Sequence, residues 1–138
     1  MPFSLLVRTD FSSDDAWDEV RGEATRQYEY GFAANLLPVS NPAFDGAGWQ
    51  AAKAAEPPDH QKDGYAYSAV LFVADHLTFS DPEHPILVVG FGSNSDESAF
   101  RVIPSQLWSV ENNLNIANMD WRDFFQAIGA DGVFRGFG

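Results

Sequence analysis

The sequence predicts a single α/β or α+β domain with a mixed central sheet of four to five strands and flanking helices. Short runs of branched apolar residues, typical of strands, alternate with segments that have helical spacing. The length of 138 residues is common for one domain, and no repeat, linker or low-complexity tract divides residues 1–138. Hydrophobic residues make up 45% of the chain, which is enough apolar material for a core.

The N-terminal region predicts a strand followed by a helix. Residues 3–10 contain SLLVR, a branched apolar run that ends at a polar cluster, and this pattern is typical of a strand. Ser12 or Ser13 can cap the following helix, whose first turns are acidic, as the helix dipole favours. One face of this helix is marked by Trp17, Val20, Ala24 and Tyr28.

The next segment predicts an edge strand, a loop and a second helix. Residues 34–39 (ANLLPV) are apolar but include Pro38, which has no N–H to donate to a neighbouring strand, so this run suits a sheet edge. The NPAFDGAG segment that follows has loop composition. Residues 49–55 (WQAAKAA) favour a helix, which the two prolines at 57–58 stop.

Three further apolar runs predict the centre of the sheet. Residues 65–75 (YAYSAVLFVAD) form the strongest strand pattern, and their continuous apolar half indicates burial on both faces. Residues 86–91 (ILVVGF) repeat this pattern, and residues 99–103 (AFRVI) predict a strand hairpinned to them. Between the first two strands, HLTFSDPEHP has the composition of a turn.

The last third of the chain mixes aromatic side chains with amides. Residues 104–113 predict a short helix opened by Pro104. Asp120 is a candidate cap for another helix, with Asp123 at the capping-box position and Gly129 as the stop. Residues 130–138 predict a tail whose two Phe residues must dock to stay ordered.

The chain is strongly acidic and contains no cysteine. A formal net charge of −12 disfavours direct binding to nucleic acid or anionic membranes and favours encounter with a basic partner, although it also serves solubility alone. Thiolate nucleophiles, disulfides and sulfur-ligated metals are excluded. The N-terminus lacks a secretory-signal pattern and no apolar run reaches membrane-span length, so we expect a cytoplasmic protein.

The segment after the strongest strand carries the densest group of chemical side chains. Its members are Asp75, His76, Asp81, Glu83 and His84. Loops at strand ends often position catalytic groups, so Asp75 and His76 are candidate acid or base residues. The spacing D-H-x4-D-x-E-H matches no metal-ligand motif, and we therefore predict no metal and no cofactor.

Other catalytic patterns are weak. The GFGSN segment at residues 90–94 is neither a G-x-S-x-G nucleophile elbow nor a dinucleotide fingerprint, because it leads to a strand. Four carboxylates could converge at one sheet edge and acquire separated pKa values: Asp10, Asp45, Asp75 and Glu111. Asp10 and Asp75 are equally natural caps or turn formers.

An amide-rich run between two tryptophans supplies the candidate binding residues. These are Trp108, Glu111, Asn112, Asn113, Asn115, Asn118 and Trp121. Buried amides must find partners, so they are either structural ties for the backbone or a prepared recognition surface. Glu111 is also a third candidate acid or base. The tryptophans are either core residues or interface anchors.

The chain resembles an uncharacterised family of short single-domain proteins, mainly from actinobacteria. The strings that carry the resemblance are RTDFS, NPAFDG, FVAD, PEHPILVV, FRVIPSQLWSVENNLNIANMDWRDF and DGVFRGF. It covers nearly the whole chain, and the tryptophan and asparagine pattern is its most specific part. The resemblance implies a small standalone cytosolic protein and transfers no activity.

Two hypotheses of function follow. The first is a non-enzymatic interaction module, of the immunity or inhibitor type, that meets a basic partner through its acidic surface. The alternative is a small enzyme or ligand-binding protein with an acid/base pocket at the ends of the central strands, built from Asp75, His76 or Glu111. A purely structural or regulatory role is a third reading, for which the sequence offers nothing specific.

Overall fold

Six strands form one mixed sheet in the computed structural model, which describes residues 3–28, 31–54, 70–90, 99–116 and 118–137. The strand order is β2-β1-β3-β4-β5-β6. The strands are β1 (Ser4–Arg8), β2 (Leu36–Val39), β3 (Val70–Ala74), β4 (Ile86–Gly90), β5 (Phe100–Val102) and β6 (Val133–Phe134). The mixed α/β domain is thus confirmed, with one strand more than the four to five predicted because the C-terminal tail adds β6 beside β5.

Helices cover both faces of this sheet. Within the described ranges they are α1 (Asp14–Thr25), α2 (Trp49–Ala54), α3 (His76–Ser80), α4 (Leu107–Asn115) and α5 (Trp121–Phe125), with 3-10 turns at Pro42–Phe44 and Pro104–Gln106. In this part of the chain, no helix has the length and apolar character to span a bilayer. Residues 55–69 and 91–98 lie outside the described ranges, and with them the two stopping prolines, the start of the strongest strand pattern and most of the GFGSN segment.

Strand directions follow from the chain order. β1 pairs in parallel with β2 and β3, β3–β4 and β4–β5 pair antiparallel, and β5–β6 is parallel. The Pro38-containing strand β2 lies at the sheet edge, as predicted, because a proline cannot complete a ladder on both sides. The predicted antiparallel pairing of residues 86–91 with residues 99–103 is observed as β4–β5.

Capping residues in the sequence correctly predicted the starts of two helices. Ser13 accepts a hydrogen bond from the Ala16 N–H at the start of α1, and Asp120 and Asp123 form the predicted capping box of α5. The HLTFS segment was predicted as part of a turn and is instead the short helix α3. Asp75 caps α3 and forms a capping box with Thr78. The helix ends at Ser80 because the next residue, Asp81, precedes Pro82 and is therefore disfavoured in the helical conformation.

The central strands are buried on both faces, which explains their continuous apolar sequences. Leu6 and Phe72 point to the face covered by α1, α4 and α5, whereas Leu5, Leu71 and Val73 face Ala52 of α2. Alternate residues of one strand therefore enter two separate clusters.

The aromatic residues of the last third fill one end of the larger cluster. The Phe100 ring lies 5.0 Å from Trp121, and Phe124 lies 5.2 Å from Phe134 and 5.4 Å from Phe137. Such edge and tilted contacts add to the stability gained from burial. The tail is therefore docked, as predicted, through both of its Phe residues.

Phe124 and Phe125 give a matched test of this packing, because Phe124 is fully buried and Phe125 is 40% exposed on the same helix. We predict that Phe124→Ala lowers the free energy of unfolding by ~3–5 kcal/mol through lost burial and a residual cavity. Phe125→Ala should cost less than about 1 kcal/mol. Urea unfolding measures both, and equal losses would contradict the assigned core.

Candidate functional site

The candidate residues are divided between two ends of the sheet. Ser4 opens β1 beside the first residue of β2, and Glu111 hydrogen-bonds to Ser4 at this starting end. Asp75 and His76 follow β3 at the finishing end, where Thr9 pairs with Ala74. The five residues of β1 separate the two ends by about 16 Å, at ~3.3 Å per residue. The convergence with the other three carboxylates that the sequence left open for Glu111 is therefore not observed.

Glu111 is a buried carboxylate that joins three segments. It is 1% exposed on α4 and accepts hydrogen bonds from the Ser4 hydroxyl at 2.9 Å and from the Asn35 backbone N–H at 2.7 Å. The Asn115 amide donates to the same carboxylate oxygen as Ser4, and the Asn112 amide donates to the other at 3.3 Å. The carboxylate thus fixes α4 against β1 and against the segment that precedes β2.

Burial controls the protonation of this group. Removal of the Glu111 carboxylate from water raises its pKa above the ordinary value of 4.5, and the hydrogen bonds from Asn35, Ser4 and Asn115 oppose this shift without cancelling it. All of these donors are neutral groups, and none of the ion pairs among the described residues involves Glu111. Glu111 therefore connects three segments of the fold, and it also has the raised pKa that is common among carboxyl groups at functional sites.

The asparagines mostly serve the backbone. The Asn112 amide donates to the Ala33 carbonyl at 3.0 Å, and the Asn113 amide donates to the Ser109 carbonyl at 2.8 Å. Asn118 donates its backbone N–H to the Asn113 carbonyl and its amide to the Asn113 side chain, which closes the end of α4. Among the predicted binding amides, Asn118 is the one that is exposed.

The two tryptophans have different environments. Trp121 is 3% exposed and packs against Phe100, so it belongs to the core. Trp108 is partly buried and stacks on Phe32, with ring centroids 5.3 Å apart and planes inclined by 9°. Phe32 is 47% exposed, so this stacked pair presents an aromatic surface beside the Glu111 tie.

Asp75 is engaged in an ion pair. Arg101 donates to its two carboxylate oxygens at 2.9 Å and 2.8 Å, and the Thr78 N–H donates to it at 3.2 Å. Burial alone would raise the pKa of Asp75, but the hydrogen bonds and charge of Arg101, with those of Thr78, lower it. A carboxylate with these partners stays ionised, and both of its oxygens already accept hydrogen bonds. Asp75 is therefore better suited to a structural role than to proton transfer.

His76 lies on the surface beside Asp10. Its side chain is 88% exposed, and its Nδ1 lies 3.2 Å from an Asp10 carboxylate oxygen. Hydrogen bonds from Ser12 lower the pKa of Asp10 against the opposing effect of burial, and His76 adds to the lowering. The structure therefore places Asp75 and His76 near each other without enclosing them in a common pocket with Glu111.

The finishing end also joins two glutamates that the sequence analysis did not select, Glu19 and Glu23, to Glu83 and His84 from the group after β3. A cleft of about 210 Å³ is lined by Glu19 and Glu23 of α1, by residues 82–84 and by residues 103–105. Ligand atoms of Glu19, Glu23 and His84 lie within 4.8 Å of one another. The spacing of Glu19 and Glu23 placed them on one helix face, but nothing in the sequence joined them to a loop some sixty residues later.

A family model described as a domain of unknown function (DUF6924) matches residues 3–137. The match spans nearly the whole chain, including both ends of the sheet. Among curated proteins, none matches the chain.

Glu111→Gln tests the raised pKa of Glu111. A carboxyl whose folded pKa is raised contributes stability below 4.5 and loses it as the pH rises through the folded value. We predict that the variant is less stable by ~1–3 kcal/mol at low pH, because its amide N–H2 faces donors. The difference from the wild type should shrink between pH 4.5 and neutrality, measured by urea unfolding at several pH values.

Glu83→Gln is the matched control for that experiment. The hydrogen bonds from Arg135 lower the pKa of Glu83. The free energy of unfolding of the wild type should therefore increase relative to that of this variant as the pH rises from acid values. A growing difference for Glu111→Gln over the same range would contradict the raised pKa.

Proposed function

We propose that the chain, which belongs to the DUF6924 family, is a small acidic interaction module that binds a basic protein partner. Its role would be of the immunity or inhibitor type, in which binding itself is the activity. The observation that carries this proposal is the stacked Phe32–Trp108 pair, which exposes an aromatic surface next to an acidic helix. Aromatic anchors of this kind dominate the energy of many protein interfaces.

The acidic helix lies directly before the aromatic pair in the chain. α1 carries five carboxylates, Asp14, Asp15, Asp18, Glu19 and Glu23, against the single basic residue Arg21. After the helix, the Tyr28 hydroxyl donates to the Glu23 carbonyl at 2.7 Å and the Tyr28 N–H donates to the Phe32 carbonyl at 2.6 Å. An aromatic contact bordered by negative charge fits a basic surface.

The aromatic pair is supported by the tie beneath it. Asn112 holds the Ala33 carbonyl one residue after Phe32, and Glu111 holds the Asn35 N–H. Trp108 lies on the same helix as Glu111, so both rings rest on segments that are already fixed. A preorganised contact of this kind loses little conformational entropy on binding.

The enzyme alternative has weaker support. Asp75 is occupied by Arg101, His76 is exposed, and Glu111 lies at the opposite end of the sheet, so these three groups do not form one acid/base pocket. The proposal also includes a cytoplasmic location and no direct binding to nucleic acid, both drawn from composition and charge. The oligomeric state forms no part of it.

The test begins with recovery of the partner from the native host by affinity capture at low and moderate salt. Binding of the purified partner is then measured for the wild type, Phe32→Ser and Trp108→Ala. We predict that each variant weakens binding by at least tenfold, which corresponds to ~1.4 kcal/mol, through loss of the aromatic anchor. Binding should also weaken as salt rises, because opposite charges attract across the interface.

Trp49→Ala is the matched control, because Trp49 is 39% exposed on α2 at the other face of the sheet. Its effect on binding should be less than about threefold. The proposal fails if no stoichiometric protein is captured at either salt concentration. It also fails if Trp49→Ala weakens binding as much as Trp108→Ala.

A further inference from the structure

The cleft at the finishing end of the sheet brings together three metal-ligating side chains from distant parts of the chain. Glu19 and Glu23 project from successive turns of α1, and His84 enters from the segment that leads into β4. The His84 Nε2 lies 4.0 Å from the nearer Glu19 oxygen. This set combines an imidazole nitrogen with two carboxylates, and it is therefore more than an acidic surface patch.

The tautomer of His84 is fixed from outside the cluster. Its Nδ1 lies 3.0 Å from the Thr78 carbonyl oxygen, which can only accept, so Nδ1 carries the proton. The Nε2 of the neutral ring then presents its lone pair towards the carboxylates. Metal-binding histidines in proteins characteristically use this arrangement, in which a backbone carbonyl holds the second ring nitrogen.

The position of the ring is set by a rigid support. Thr78 is fully buried, donates its hydroxyl to the Pro85 carbonyl at 2.9 Å and donates its backbone N–H to the capping carboxylate of Asp75 at 3.2 Å. His84 itself has a φ of 53°, a left-handed backbone that is uncommon for a residue other than glycine. The imidazole is thus held by the Thr78 carbonyl, on a backbone whose conformation is uncommon for residues other than glycine.

The spacing of the three atoms suits one small cation. Three points that lie within 4.8 Å of one another share a point within about 2.8 Å of each, compared with ~2.0–2.2 Å in zinc sites. Glu19 is exposed and Glu23 is on the same face of α1, so rotation of these flexible side chains can close the difference. The cleft opens to solvent, which leaves room for water as a further ligand.

The remaining acid in the cleft is already neutralised. Glu83 receives hydrogen bonds from Arg135 at 2.8 Å and 2.9 Å. The two carboxylates of Glu19 and Glu23 have no such guanidinium among the ion pairs of the described residues, where Glu19 pairs only with His84. A cation in the cleft would therefore meet the Nε2 lone pair and two carboxylates that no arginine among the described residues engages.

We infer that Glu19, Glu23 and His84 bind one divalent first-row transition cation of the Zn²⁺ class. The imidazole favours such an ion over Mg²⁺ and Ca²⁺, which prefer ligand sets made of oxygen. This site goes beyond the proposed interaction function and does not depend on it. The sequence spacing after β3 predicted no metal. The site proposed here was not apparent from that spacing, because two of its three ligands come from α1.

The test is calorimetric titration of the metal-free full chain with ZnCl₂. The wild type should bind one equivalent, and Glu19→Gln, Glu23→Gln and His84→Asn should each weaken binding at least tenfold. Asn is chosen at position 84 because it tolerates a left-handed backbone. Glu83→Gln is the matched control, and it should change the affinity less than about threefold because Arg135 already engages Glu83.

Two further measurements keep the outcome decisive. Circular dichroism and thermal unfolding of the metal-free variants should match the wild type, which shows that the loss is one of binding and not of folding. The imidazole resonances of His84 should shift on titration with Zn²⁺, whereas MgCl₂ should leave them unchanged. Absence of saturable 1:1 binding would overturn the site. The site would also be overturned if His84→Asn bound Zn²⁺ as tightly as the wild type, or if Glu83→Gln weakened binding as much as the ligand variants. Either result would mean that Zn²⁺ is attracted only by the acidic surface in general.

Discussion

The buried carboxylate of Glu111 is the interaction on which the arrangement of this domain depends. One side chain on α4 accepts from the first residue of β1 and from the residue just before β2, so it joins a helix to two parallel strands at once. The cost is a carboxyl removed from water, which its raised pKa records. Neutral donors from Ser4, Asn35, Asn112 and Asn115 offset part of that cost, whereas Asn113 and Asn118 bond to other groups.

The two ends of the sheet consequently have different characters. The starting end is closed by neutral hydrogen bonds, and it carries the Phe32–Trp108 pair on the segments that Glu111 fixes. The finishing end is ionic, with Arg101 on Asp75 and Arg135 on Glu83. By contrast, Glu19 and Glu23 in the neighbouring cleft pair with no arginine within the part of the chain that the structure describes. The proposed binding surface and the proposed cation site lie at different ends of the sheet, although both use carboxylates of α1.

Local signals in the sequence predicted much of the fold. Continuous apolar runs indicated strands buried on both faces, Pro38 indicated an edge, and Ser13 and Asp120 indicated helix starts, because each of these effects acts within a few residues. Strand β6 was not predicted, since two residues gain strand geometry only by pairing with β5. Helix α3 was concealed by the turn composition of the residues that follow it.

The candidate site was less predictable because its contacts span long distances along the chain. The sequence selected Glu111 and its amides, but it could not decide between recognition and support, which depends on partners such as Ser4, 107 residues away. It grouped Asp75 with Glu111, although strand direction places them at opposite ends. Likewise, His84 meets Glu19 only through the packing of α1 against the sheet, which no spacing rule encodes.

The backbone amide of Asn35 reports most directly on the central claim that Glu111 ties α4 to the starting end of the sheet. Its N–H donates to Glu111 at 2.7 Å although Asn35 precedes the strand. Hydrogen exchange followed by NMR should show this amide protected to nearly the same degree as the core amide of Leu6, with protection lost in Glu111→Ala. Rapid exchange in the wild type, at the rate of an exposed loop, would contradict the account.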